Sequence, residues 1–303
     1  MEKALVIGGR GFLGSHVSDV LIEEGYAVSI FDNKISPHIS NGQKMILGDI
    51  SDRNAIRKAI KGIDYVFHFA AIADINEARD NPELTAQLNI MGTIYILEAC
   101  KEYNIKRFIY ASSIYVYTAH GSFYRSSKQA CELFIENYQE EYGLDYTVLR
   151  YGSLYGKRAN HFNFIHNSVK QALTEGKIVR KGNGEEIRDY INIIDAAKAT
   201  VKSLEETYKN SYLMITGSQS MKVKELLNTI KEIMNNQIEI KYTDGQMAGH
   251  YKMTPYSFKP KVALKLSPES SYDLGQGLLE TIYSVYEDLV DKGEKTISFE
   301  KNE

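Results

Sequence analysis

Lys3-Ala-Leu-Val-Ile-Gly-Gly-Arg-Gly-Phe-Leu-Gly14 carries a short apolar run into a glycine cluster that opens a helical pattern. Gly9, Gly11 and Gly14 satisfy G-x-G-x-x-G, while Gly8, Gly11 and Gly14 satisfy G-x-x-G-x-x-G. In either register the glycines permit a tight turn, a close backbone approach to a pyrophosphate, and close helix–strand packing. The backbone of Phe12 and Leu13 lies at the helix start, where free N–H groups and a partial positive charge favour phosphate. A second apolar run, Ala27-Val-Ser-Ile-Phe31, ends in Asp32, at roughly the twenty-residue spacing where an acid reads a ribose 2′-OH. A carboxylate there accepts a hydrogen bond from the free hydroxyl and repels the extra phosphate of NADP, so a dinucleotide site preferring NAD is predicted. Arg10 and Lys34 either offset that repulsion in part or are solvated surface charges.

The rest of the composition narrows the class. With 303 residues and 43% hydrophobic content, the chain can fill a sizeable core, as one large α/β domain or a dinucleotide domain with a smaller lobe. A net charge of −3 with both signs interspersed offers no electrostatic footprint for nucleic acid or an acidic membrane. No apolar run approaches the roughly twenty residues of a membrane span, and the sequence enters a strand directly with no signal peptide; a cytoplasmic protein is expected. Cys100 and Cys131 have no metal-ligand spacing and read as reduced, buried small residues, and His161 and His166, the nearest histidine pair, lack partner ligands. No metal site is expected.

Further short strands are read at 45–47, 63–68, 107–111 and 146–149, separated by helical patterns at 55–60, 84–103 and 126–142, where apolar residues recur three and four apart. This alternation predicts a Rossmann-type, doubly wound parallel sheet with ligands at the carboxyl ends of its strands. From about residue 160 the rhythm loosens: helices at 162–175, 195–207, 222–234 and 272–291, strands near 178–180, 187–191 and 211–215, and an irregular stretch at 243–270. Residues 1–159 are read as an NAD-binding Rossmann domain and 160–303 as mainly a smaller α/β substrate lobe, packed on the first without a linker. The polar tail from Gly293 onward is expected to fray.

Tyr124-Arg-Ser-Ser-Lys128 opens a helix, so Tyr124 and Lys128, four apart, share one face. A free tyrosine with a pKa near 10 is a poor base at neutral pH. A neighbouring ammonium and a positively charged nicotinamide both stabilise its phenolate. Ala111-Ser-Ser-Ile-Tyr-Val-Tyr117 places hydroxyls at the carboxyl edge of the sheet, where a serine can hydrogen-bond a reacting alcohol.

On these residues the chain resembles the extended short-chain dehydrogenase/reductase family, in particular its nucleotide-sugar epimerases and dehydratases. The resemblance spans nearly the whole chain. It includes Gly8-Gly-Arg-Gly-Phe-Leu-Gly14, Gly48-Asp-Ile50, Phe67-His-Phe-Ala-Ala71, Asn89-Ile-Met-Gly-Thr93, the serine stretch, Tyr124/Lys128, and Arg150-Tyr-Gly-Ser-Leu-Tyr-Gly-Lys-Arg158. It implies that Gly8, Gly11, Phe12, Leu13, Gly14, Asp32 and Asn33 hold the cofactor, with Asp49 and Ile50 at its adenine and Phe69, Ala70 and Ala71 beneath it. Ser113, Tyr124 and Lys128 are the implied catalytic set, Tyr124 and Lys128 also touching the cofactor. Ser113 is selected because the family counts its hydroxyl three residues before the Val of Val-Tyr; Ser112 stands in as a second substrate contact. Gly182-Asn-Gly-Glu-Glu-Ile-Arg-Asp-Tyr-Ile-Asn-Ile-Ile-Asp195 is similar to the family segment whose arginine pairs with the substrate pyrophosphate. This makes Arg188 the substrate-phosphate residue; the alternative is a structural ion pair with Asp189 or Asp195. The helices at 84–103 and 126–142 correspond to the family's four-helix dimer interface, which implies a homodimer, although Ile94, Leu97, Leu133 and Phe134 could equally face the sheet.

Three departures carry information. Ile114 and Tyr115 stand where dehydratases have the Asp-Glu pair that drives loss of water, which disfavours a 4,6-dehydratase. Only residues 118–123 separate Tyr117 from Tyr124, in place of a longer loop over the sugar. Gly249-His-Tyr-Lys252 stands where many members carry a second phosphate contact. The expected activity is NAD-dependent oxidation of a nucleotide sugar at C4, as a 4-epimerase if the hydride returns or a 4-dehydrogenase if the ketone leaves. Competing readings are a reductase of a non-nucleotide carbonyl compound, against which Arg188 argues, and a non-catalytic NAD-binding regulator, against which the complete Ser113/Tyr124/Lys128 set argues.

Overall fold

Four of the five residues of Lys3–Ile7 (β1) are buried, as a strand covered on both faces must be. The computed structural model describes residues 1–218, 220–245, 250, 264–266 and 272–294. After β1 the chain runs through α1 (Phe12–Glu23), β2 (Ala27–Asp32), β3 (Gln43–Leu47), α2 (Arg53–Ile60), β4 (Tyr65–His68), α3 (Ile75–Asp80) and α4 (Pro82–Thr85). A π-helical turn (Ala86–Met91) leads into α5 (Gly92–Glu102), then β5 (Arg107–Ser113), a 3-10 turn (Ile114–Tyr117), α6 (Ser122–Tyr142) and β6 (Tyr146–Tyr151). The later elements are β7 (Ser153–Tyr155), α7 (Phe164–Glu175), β8 (Lys177–Lys181), β9 (Ile187–Asn192), α8 (Ile193–Lys202), β10 (Ser211–Ile215), β11 (Ser220–Lys222), α9 (Val223–Ile233), β12 (Glu239–Thr243), β13 (Leu264–Lys265) and α10 (Leu274–Asp291).

The chain forms two compact units. The first comprises Met1–Tyr151 and Ala196–Ile215 together with residues 264–266; the second takes Gly152–Asp195 and the described residues of 216–254 and 269–303. In the first, eight parallel strands run in the order β13-β10-β6-β5-β4-β1-β2-β3. The order reverses between β1 and β4, and because parallel crossovers are right-handed, α1 lies on one face while α2, α5 and α6 lie on the other. The latter face is closed by Ile56, Ile60, Ile96, Leu97, Cys131 and Ile135 against Leu5, Val66, Phe108 and Tyr110. The reversal opens a crevice at the carboxyl ends of β1 and β4. Both cysteines are free and buried.

The division is not a single cut near residue 160. β10 lies far past that point, yet it pairs along its whole length with β6, Leu213 opposite Leu149. Leu213 and Ile215 are fully buried there, so an apolar strand seated between β6 and β13 returns the chain to the first unit. The expected helix at 84–103 is also divided, into α4, the π turn and α5, and the helix expected from 126 begins at Ser122. The second unit has a three-stranded sheet (β11-β9-β7) and a β12-β8 pair. Ile165, Val169, Leu173, Leu226, Ile230, Leu278 and Leu289 form its core on α7, α9 and α10. No helix among the described residues is long and apolar enough to cross a membrane, and none of them form a metal-binding cluster. Of Gly249–Lys252 only residue 250 is described, and the tail from 295 lies outside the described residues.

Candidate active site

The glycine loop is built by close backbone approaches. Gly8 has φ +84°, and a Cβ there would lie 2.5 Å from Ala70 N; a Cβ on Gly14 would lie 2.3 Å from the Gly8 carbonyl oxygen. Those contacts are to backbone, which cannot rotate aside, so the first glycine sets the turn against β4 and the last seats α1 on the loop. Gly9 abuts Ile30, where a Cβ would lie 2.7 Å from Cγ2. Gly11 caps α1 without a side-chain hydrogen bond, which leaves the first N–H groups of Phe12, Leu13 and Gly14 without intrahelical partners. An anion is the natural complement of that end.

A cleft of about 250 Å³ lies over this loop, lined by Gly8, Gly11, Phe31, Asp32, Asn33, Gly48, Asp49, Ile50, Phe69, Ala70, Ala71, Ile72 and Leu88. Nine of the fourteen residues expected to hold the cofactor line this cleft; Phe12, Leu13, Gly14, Tyr124 and Lys128 are not among its lining. Asp32 ends β2 and accepts hydrogen bonds from Arg10 N (3.1 Å) and Lys34 N (3.3 Å). It thus anchors the glycine loop while lining the cleft. The Arg10 side chain donates to the Ile35 carbonyl (3.3 Å). Asp49 accepts from Ser51 N (2.8 Å) and Ser51 Oγ (2.7 Å). The Ser51 hydrogen bonds, with a smaller one from Asn33, hold its carboxyl below the usual range. Phe31, Gly48, Ile72 and Leu88 complete the lining; Gly48 is required because a Cβ would strike the Phe31 ring at 2.5 Å.

Asn89, in the sequence one residue of the Asn89–Thr93 stretch, has a structural task. Its side chain accepts from Ile72 N (2.8 Å) and donates to Ile72 O (3.0 Å) and Ser127 Oγ (3.0 Å). It clamps the segment after β4 to α6. The π turn that carries it adds a residue to the helical repeat, and both Asn89 and Thr93 end up buried. Thr93 Oγ1 donates to the Asn89 carbonyl (2.6 Å) and lies 3.0 Å from His68 Nε2. With its hydrogen committed, Thr93 can only accept, so His68 carries its proton on Nε2. Burial, with the Lys128 charge adding to it, lowers the His68 pKa to about 3 and keeps the ring neutral.

Ser113, Tyr124 and Lys128, the set expected to be reactive, come together at the carboxyl end of β5. Ser113 is the last residue of the strand, and its hydroxyl hydrogen-bonds the Tyr124 phenol. Tyr124 lies in the first turn of α6, partly buried, with its ring edge-on to Tyr115 at 6.4 Å. Lys128 is 4% exposed; its ammonium donates to the Ala111 carbonyl (2.6 Å) and lies 4.7 Å from the Tyr110 ring and 5.7 Å from the Tyr124 ring. Burial pushes Tyr124 up to about 12, with the Ser113 bond acting against it. Burial likewise lowers Lys128 to about 8, opposed by Cys131 and Glu132. In this state the phenol is neutral and ready to gain from any added positive charge nearby.

Ser112 does not join this set. Adjacent strand residues point to opposite faces, and the buried Ser112 hydroxyl donates to Glu132 at 2.6 Å. Arg188 lies on β9 in the second unit, 8% exposed, with Nη1 donating to the Ile187 carbonyl (3.0 Å). Asp189 accepts from Ser220 Oγ (2.5 Å) and Asp195 from Tyr272 N (2.7 Å).

Residues 4–213 match the NAD dependent epimerase/dehydratase family. The UDP-glucose 4-epimerase of Lactobacillus helveticus is 28% identical over 284 residues, covering 82% of this chain and 86% of that one. Among solved structures, the UDP-glucose 4-epimerase of Thermotoga maritima with UDP-glucose superposes with a TM-score of 0.83 at 26% identity, over 95% of this chain and 99% of that one. The UDP-N-acetylglucosamine 4-epimerase of Methanobrevibacter ruminantium, in complex with UDP-N-acetylmuramic acid, gives 0.82 at 28% identity, over 95% and 99%. A glycine cradle that fits a dinucleotide, an acid at the end of β2 and a matched family span of this length lead to one conclusion: the chain is an enzyme of the NAD-dependent epimerase/dehydratase family, of the extended short-chain dehydrogenase/reductase type, and its cofactor is NAD.

Proposed function

We propose that the protein is a UDP-sugar 4-epimerase. The observation that carries this reading is the convergence of Ser113, Tyr124 and Lys128 at the end of β5, within the same unit as the glycine-cradled cleft. The UDP-sugar 4-epimerase names of the relatives above support the substrate class. Gly8, Gly11, Asp32, Asn33, Asp49, Ile50 and Phe69–Ala71 would hold the cofactor. Bound NAD supplies the acceptor for a hydride from the sugar carbon and can give it back.

Tyr124 takes the proton of the C4 hydroxyl, Ser113 shares that proton through its hydrogen bond to the phenol, and Lys128 stabilises the phenolate and grips the nicotinamide ribose. When the keto sugar has turned over, Tyr124 returns the proton. Arg188 is assigned to the substrate pyrophosphate, for which a guanidinium fork is suited. A homodimer through α5 and α6 is part of the proposal, supported by the exposure of Leu133 (55%) and Phe134 (39%) on α6, whereas Leu97 is fully buried.

A second outcome, release of the keto sugar by a 4-dehydrogenase, draws support from the short connection over the site: only residues 118–121 separate the 3-10 turn from α6. To test the reading, the purified protein is incubated separately with UDP-glucose, UDP-N-acetylglucosamine and UDP-glucuronate, and products are resolved by chromatography and NMR. Formation of the C4 epimer without net reduction of NAD is expected. Stoichiometric reduced cofactor with a keto sugar would replace the epimerase by the dehydrogenase, and no conversion of any nucleotide sugar would reject both.

A further inference from the structure

Beside the reactive set, and with no part in it, lies a buried ion pair. Glu132 sits one turn beyond Lys128 on α6, and its carboxylate accepts from Ser112 Oγ (2.6 Å) on β5 and from Arg150 Nε (3.0 Å) and Nη2 (2.7 Å) on β6. Arg150 in turn donates through Nη1 to the Tyr117 hydroxyl (2.6 Å), at the end of the 3-10 turn that follows Ser113. Its guanidinium also lies 4.7 Å from the Tyr117 ring and 4.3 Å from the Tyr212 ring of β10. The side chains are only 6% and 3% exposed.

A buried ion pair of this kind is weak as a source of stability, because desolvating two charges offsets most of their attraction. It is strong as a register device: two parallel N–H···O bonds fix position and angle together, and a flat cation between rings suits arginine and not lysine. What this one ties together is every element that delivers a reactive group. β5 ends in Ser113, the 3-10 turn leaves from it, and α6 carries Tyr124 and Lys128. Resting on the proposed reaction, we infer that Glu132 and Arg150 are positioning residues which hold the Ser113 hydroxyl and the Tyr124 phenol in reacting register. Neither touches substrate or cofactor in this role. The groups facing the Lys128 ammonium are Tyr110 on β5, His68 on β4, and Tyr124, Cys131 and Glu132 on α6. Glu132 is the acid among them, so it also favours the charged lysine.

The experiment separates position from stability. Glu132→Gln leaves the Arg150 charge buried against a neutral partner, whereas Glu132→Gln/Arg150→Met removes both charges and lets the site repack. Expected for the single variant are a lower Tm, a kcat at least about tenfold lower with little change in sugar KM, and a Lys128 titration, followed by NMR of isotope-labelled lysine, moved down by about half a unit or more. In the double variant Tm returns towards wild type while kcat stays low. Recovery of kcat in step with Tm would overturn the inference, since a purely structural pair predicts that result. An unmoved Lys128 titration in the single variant would equally overturn it. That titration needs no sugar, so a wild-type protein that converts no nucleotide sugar counts against the proposed activity and not against the register.

Discussion

Tyr124→Phe tests the chemistry most directly, because it removes one oxygen and leaves the ring. The ring keeps its edge contact with Tyr115 and its place near the Lys128 ammonium. The lost hydrogen bond to Ser113 costs about 1 kcal/mol of stability, so the variant remains folded. The kinetic cost is larger. With its pKa pushed up to about 12 by burial, the phenol is ionised in about one molecule in 10⁵ at pH 7, and bringing the pKa to 7 takes about 7 kcal/mol of preferential stabilisation of the phenolate. Lys128 and the positive nicotinamide ring of bound NAD are the charges available for that. Losing the base removes roughly 10²–10⁴ in rate, or about 3–5 kcal/mol of transition-state stabilisation. The assay is rapid mixing of the NAD-loaded protein with a UDP-sugar under single-turnover conditions, following the near-ultraviolet absorbance of reduced nicotinamide, with NAD affinity measured by calorimetry. NAD affinity should hold within about twofold, the uncertainty of a change that leaves the ring in place. A variant that retains turnover within a few-fold of wild type would refute Tyr124 as the base.

The remaining predictions concern the surroundings of that group. Lys128 has its pKa lowered to about 8 by burial, so the folded state binds fewer protons than the unfolded one between about pH 8 and 10.5 and stability rises with pH across that window. Lys128→Met should therefore stabilise the cofactor-free protein by up to about 3 kcal/mol of relieved desolvation and raise its Tm, while abolishing turnover and weakening NAD retention; a fall in Tm at pH 7 would contradict the burial argument. Asp32→Ala should weaken NAD binding and narrow its advantage over NADP, since both the 2′-OH bond and the repulsion are lost, and an unchanged affinity ratio would remove Asp32 from cofactor choice. Arg188→Ala is expected to raise the sugar KM at least about tenfold with NAD affinity unaltered; an unchanged KM marks a structural arginine. Sedimentation at micromolar concentration should show a dimer that Leu133→Glu converts to monomer, and a wild-type monomer would end the α5/α6 interface.

Much of the dinucleotide half was legible because it depends on local rules. The glycine loop must turn where φ is positive, and apolar runs of strand length alternate with helical periodicity wherever a parallel sheet is covered on both faces. For the same reason Asp32 at the end of β2, and Tyr124 with Lys128 one turn apart, could be located by counting. Helix limits were less secure. α6 starts at Ser122, where the positive φ of Gly121 and a contact between its Cα region and Tyr115 set the entry, and no periodic apolar signal marks that position.

What the amino-acid sequence determined by itself was the glycine loop and the alternation of strands and helices that builds a parallel, doubly wound sheet, since chirality and periodicity act over a few residues. The tertiary structure alone decided which of two adjacent serines meets Tyr124, because Ser112 is taken up by Glu132, itself paired with Arg150, residues 20 and 38 positions away in the chain that only pairing of β5 with β6 and packing of α6 bring near. It also decided that β10 pairs beside β6 and that Asn89 joins Ile72 to Ser127. These contacts form only when distant segments lose their freedom together, and a pattern read along the chain carries no record of which partners that loss will select.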